Sequence, residues 1–137
     1  MFEQDYLVRM FMQFMEAIRK SIRKAQDEND PEAAADLLEA VVGNATEIDG
    51  GVLLSLAPES IAGVIQVSGT DPRVAEYLVR TLLLESDYLQ EANLPAKAQL
   101  RARQAQAIAV AYGIETEGDL ISPEELDAFF ETTVKDR

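Results

Sequence analysis

The 137-residue sequence predicts an all-α domain of six or seven helices, and three observations carry that expectation. Proline recurs directly behind an Asp or a Ser at helix-start spacing. Apolar residues repeat every three or four positions, as one face of a helix requires. The single segment with strand propensity, Ile65-Gln66-Val67, is short, descends from Pro58 and has no second strand to pair with.

Proline suits the first helical position because the N–H it lacks would have no partner there, and a preceding Asp or Ser side chain accepts from free amides. Asp30-Pro31, Asp71-Pro72 and Ser122-Pro123 are three such starts, and Glu125 completes a capping box with Ser122. Gly43, Gly69 and Gly113 each follow a periodic apolar run and are expected to end a helix in the left-handed conformation.

The first helix is expected over about residues 3–25, with Leu7, Phe11, Phe14, Ile18, Ile22 and Ala25 on one face. Tyr6, Val8, Met10, Met12 and Met15 carry apolar surface well around the cylinder, so this helix is expected to be buried on most sides or covered by a partner. A second helix, 31–42, turns Ala34, Leu37, Leu38, Val41 and Val42 inward. A short helix over 50–56 follows, capped by Asp49. Pro58 opens another with Ile61, Val64, Ile65 and Val67 inside. Two long helices, 72–92 and 95–112, are separated only by Asn93 and Leu94, and so short a connection predicts antiparallel neighbours. The second carries Ala98, Ala102, Ala105, Ala109 and Tyr112 on one stripe, which lets a neighbour approach closely. These elements make a helical domain over 1–114. An acidic loop and a terminal amphipathic helix with Leu126, Phe129, Phe130 and Val134 occupy 115–137, expected to pack on the same domain or on a partner.

Composition removes whole classes of function. No Cys is present, which rules out disulfides, thiolate metal sites and a cysteine nucleophile; no His is present, which rules out a Ser-His-Asp triad. No metal site or cofactor is expected. Glu3 and Asp5 stand where a secretory signal would be positive, and no stretch approaches the roughly 20 apolar residues of a membrane span. The expected location is the cytoplasm. The net charge of −13 opposes contact with nucleic acid or anionic lipid. Its distribution is uneven: between Lys24 and Arg73 there are ten acidic residues and no basic one.

Five groups of side chains invite a functional reading. Arg19, Lys20, Arg23 and Lys24 form a basic cluster fit for an acidic partner or phosphate, although cations are favoured at a helix C-terminus in any case. Arg73, Tyr77 and Arg80 share a helix face with Tyr88 farther along, residue types enriched at interaction hot spots. Phe2, Tyr6, Met10, Met12, Met15, Phe129 and Phe130 are candidates for self-association. Glu85, Asp87 and Glu91 could serve acid–base chemistry if they converged with Glu59 or Asp71, and are otherwise expected on a solvated face. Asp27-Glu28-Asn29-Asp30 does not continue as a calcium loop, because Glu32 stands where Gly is needed and Leu38 where Glu is needed.

Tyr88, the Ala92-Asn93 turn, Ala98, Ala102 and Ala105 resemble the aromatic, turn and small-residue positions of a tetratricopeptide unit, with one residue inserted around Leu94-Pro95 and Glu85 at the usual Gly position. The stretches Met1-Phe2-Glu3-Gln4-Asp5-Tyr6-Leu7, Leu54-Ser55-Leu56-Ala57-Pro58-Glu59-Ser60 and Val67-Ser68-Gly69-Thr70-Asp71-Pro72-Arg73 are similar to a family of small bacterial helical proteins that forms a domain of unknown function. That resemblance implies a bacterial origin and a helical fold, with no activity attached. Stacked helical hairpins offer grooves for peptides or helices. The expected function is therefore a non-enzymatic protein-interaction module, self-associating as a homodimer. A small-ligand or carboxylate-based enzyme is the rival, and a weak nucleic-acid regulator acting through Arg19–Lys24 is the third reading.

Overall fold

The computed structural model describes residues 2–116, with side chains from Tyr6 onward. Among the described residues the fold is all-α, with helices α1 (Phe2–Ile22), α2 (Pro31–Thr46), α3 (Gly50–Leu53), α4 (Pro58–Val67), α5 (Pro72–Glu91) and α6 (Pro95–Tyr112), and no strand. Proline opens α2, α4, α5 and α6. The Asp caps act as the sequence predicts: Asp30 accepts from the Ala33 amide at 3.1 Å, Asp49 from Val52 at 3.0 Å and Asp71 from Arg73 at 2.8 Å. Gly69 and Gly113 take the left-handed conformation, with φ of 73° and 67°. The expected start at Ser122-Pro123 and the terminal helix that follows it lie outside the described residues.

Three details depart from expectation. The first helix does not remain α-helical to residue 25; it widens after Ile22 into a π-helical turn over Arg23–Asp27, where the Glu28 amide reaches back to the Arg23 carbonyl. Gly43 does not stop α2, which continues to Thr46 and ends where Glu47 adopts a φ of 60°. Glycine is used there for proximity: a Cβ on Gly43 would lie 2.9 Å from the Gly50 nitrogen, and one on Gly50 would lie 2.6 Å from the Glu39 carbonyl oxygen. Val67, expected inside, is 90% exposed.

The helices stand in the order α1, α2, α5, α6, α4, with α3 bracing α2. Leu7, Phe11, Phe14 and Ile18 of α1 meet Leu38 and Val42 of α2 and Leu78, Leu82 and Leu89 of α5 in one apolar core. Phe11 sets its ring edge-on to Tyr77, with centroids 4.5 Å apart. α5 and α6 form the predicted antiparallel pair. Buried Ala98 and Ala105 let the backbones close, and the Ser86 hydroxyl donates to the Ala98 carbonyl at 2.7 Å. No described helix is long and apolar enough to cross a membrane.

Candidate functional site

α1 and α5 begin at the end of the molecule where α2, α4 and α6 finish. Their termini do not close over one another, and a cleft of about 950 Å³ opens there. Tyr6 and Leu7 of α1 form one wall, Ala45, Thr46 and Glu47 at the end of α2 another, and the turn from Ser68 to Asp71, with Val74 and Tyr112, the rest. The Tyr112 hydroxyl is held by the carbonyls of Thr70 at 3.1 Å and Ile65 at 3.4 Å. Burial and the nearby Asp71 carboxylate push that phenol above its ordinary range. Gln66 donates to the Ala111 carbonyl at 3.2 Å, which ties α4 to α6 beside the opening.

Charge in the cleft is of one sign. Among the described residues its lining holds Glu47 and Asp71 and no basic residue. Asp71 caps α5 and pairs with the Arg73 guanidinium at 3.2 Å, whereas Glu47 is exposed and enters no ion pair among the described residues. A smaller groove next door, about 430 Å³, runs past Arg73, Glu76, Arg80 and Ile114. Arg80 lies 3.2 Å from Glu76 one turn back on α5.

A second polar assembly is sealed inside the fold. Arg101 on α6 is 4% exposed and spreads its guanidinium over three elements: Nε donates to Glu85 Oε2 on α5 at 2.8 Å, Nη2 to Glu39 Oε2 on α2 at 3.1 Å, and Nη1 to the Leu54 carbonyl at 3.0 Å. Buried Gln104 adds bonds to the Leu54 and Leu56 carbonyls at 3.0 and 2.9 Å. The segment between α3 and α4 thereby has its backbone oxygens satisfied from α6. Two carboxyls face this one cation. Glu85 Oε1 is buried with no donor on it, and Glu39 is its neighbour. Burial first, then the neighbouring Glu39 carboxyl, push the Glu85 carboxyl up to about 8 against the opposing pull of Arg101.

The sequence-predicted residues divide sharply. Tyr77 and Tyr88 do not belong to an interaction surface: both are buried, Tyr77 against Phe11 and Phe14, Tyr88 with its hydroxyl 3.0 Å from Ser21. Their i, i+4, i+15 register with Arg73 lies on the edge of α5 that turns under α1. Arg73 is exposed and Arg80 half-buried, as an edge position allows. Met10 is buried in the core and Met15 half-buried, so neither offers a free surface; Tyr6 and Met12 are exposed at 44% and 54%. The side chain of Phe2, and Phe129 and Phe130, lie outside the described residues. In the basic cluster, Arg19, Lys20 and Arg23 are exposed; Lys20 pairs with Glu16 and half-buried Lys24 with Glu28, both at 2.9 Å.

Among the acids, Asp87 and Glu91 are exposed as expected, but Glu85 is not on a solvated face: it is fully buried against Arg101. It converges with Glu39, not with Glu59 or Asp71, and it does not line the cleft. The described residues contain no cluster of three or more potential metal ligands. Comparison with family models, with curated proteins and with solved structures returns no match for this chain.

Proposed function

We propose that this protein is a non-enzymatic, cytoplasmic binding module whose open end receives a segment of a partner protein. The observation that carries the reading is the cleft itself: an accessible recess with both apolar and hydrogen-bonding walls, assembled from the termini of five helices. The group with the most perturbed acidity, Glu85, lies behind Arg101 and Gln104, where no substrate reaches it; this favours binding over catalysis. The antiparallel α5–α6 pair, with small residues between its helices, supports treating this half as a tetratricopeptide-like hairpin.

The test compares what three forms capture from a host lysate. Ser68→Trp places a bulky ring at the rim of the cleft, and Gln99→Trp places the same ring on the exposed face of α6, about 20 Å away along that helix. A partner retained by the parent chain and by Gln99→Trp but lost by Ser68→Trp is the expected result. Identical captures from all three forms would remove the cleft from the account.

Self-association through α1 is a second reading, favoured by exposed Tyr6 and Met12. Sedimentation at micromolar concentration is expected to show a dimer that Met12→Lys dissociates; a 15.1 kDa monomer of the parent chain would dismiss it.

A further inference from the structure

We propose that the occupant of the cleft is a basic segment of a partner protein, which inserts a lysine or arginine side chain between Tyr6 and Glu47. The inference rests on the binding reading above and adds the chemistry of what is bound.

Several independent observations give the cleft a negative character. Among the described residues no basic one lines it, and Glu47 is exposed at its edge without an ion-pair partner. α2, α4 and α6 end beside the opening, which brings the negative end of each helix dipole near it. The N-terminus of α5 lies there too, capped by the Asp71 carboxylate.

The shape suits a long cationic side chain. Leu7, Ala45 and Val74 give apolar lining on which methylenes can lie, exposed Tyr6 adds an aromatic ring of the kind that attracts cations, and Glu47 supplies a carboxylate for the charged head. An acidic segment would meet Glu47 and Asp71 with no basic residue among the described lining to neutralise it. Glu47 is also well placed for a clean test: its backbone is already left-handed, so Glu47→Gln changes the charge and leaves the conformational demand as it was.

The experiment uses the full chain, labelled with 15N, and three synthetic decapeptides of one apolar framework. They carry lysine and arginine, acetyl-lysine and citrulline, or glutamate at the same two positions. The basic peptide is expected to shift the amide signals of Tyr6, Glu47, Gly69 and Thr70, and the other two to leave them in place. Glu47→Gln is expected to weaken the basic peptide about two- to fivefold. Glu91→Gln, the same charge change about 28 Å along α5 at the other end of the molecule, is expected to leave it unchanged. Equal weakening by both substitutions would reduce the effect to overall charge and overturn the proposal. Cleft shifts from all three peptides would keep the binding reading and overturn its cationic preference. Absence of cleft shifts with every peptide would overturn the binding reading as well.

Discussion

Replacing Glu85 by Gln turns a titrating carboxyl into a permanently neutral group of nearly the same shape, one that still accepts from Arg101 and can donate to Glu39. In the folded chain the Glu85 carboxyl is raised from 4.5 to about 8, chiefly because it is buried. A group whose folded value is raised stabilises the fold fully below its unfolded value and loses that contribution as pH climbs through the folded one. The window is therefore about pH 4.5 to 8, with stability falling as pH rises. At about 1.4 kcal/mol per pH unit, the span bounds the effect near 5 kcal/mol, of which roughly 4 kcal/mol is lost between pH 5 and pH 9. Against a total of about 5–15 kcal/mol for an ordinary domain, that is a large fraction. Urea unfolding followed by circular dichroism at pH 5, 7 and 9 reads it directly. Asp36 and Asp87, also raised by burial, contribute equally to parent and variant, so the difference between the two curves isolates Glu85. Glu85→Gln is expected to match the parent at pH 5 and exceed it by several kcal/mol at pH 9. Parallel curves would mean that Glu85 folds as a carboxylate, and the account of a buried, protonated Glu85 would be wrong.

Other substitutions probe the frame around that junction. Arg101→Met leaves two carboxyls facing each other without their cation and should cost about 3–5 kcal/mol in urea unfolding. Arg101→Lys should recover less than half of this, because one ammonium cannot reproduce a fork that reaches Glu85, Glu39 and Leu54 together. Gly50→Ala forces a Cβ to within 2.6 Å of the Glu39 carbonyl and should destabilise by about 1–3 kcal/mol, read as a lower melting temperature. Tyr77→Ala should cost about 3–5 kcal/mol through lost packing on Phe11 and Phe14. A stability unchanged by Tyr77→Ala would return that residue to the surface.

The start of nearly every described helix was legible in the sequence, because Pro31, Pro58, Pro72 and Pro95 and the caps Asp30, Asp49 and Asp71 act through their own backbone neighbours. The failures are tertiary. Gly43 reads locally as a stop and serves instead to admit α3. Tyr77 and Arg73 share a helix face by spacing, yet the curvature of that face under α1 separates a core ring from an exposed cation. The buried junction did leave a trace. Glu85 falls on the inner stripe Leu78, Leu82, Glu85, Leu89, and Arg101 on the stripe Ala98, Arg101, Ala105, Ile108 of the helix folded back on it. Opposite charges on the facing stripes of a hairpin are a signal of burial; placing Glu85 on a solvated face passed over it. The end-on cleft had no such trace, since it arises where two helices begin and three end, and their lengths relative to one another emerge only from packing.

Arg101 also governs how the molecule can come apart. Its three arms reach α2, α5 and the strap between α3 and α4, so none of these can swing away without stranding a charge or a carbonyl in the interior. Amide protons near Glu39, Leu54, Glu85 and Arg101, which are scattered along the chain, should therefore exchange with solvent at one common opening free energy. The bundle should come undone there in a single step, with no partial fraying.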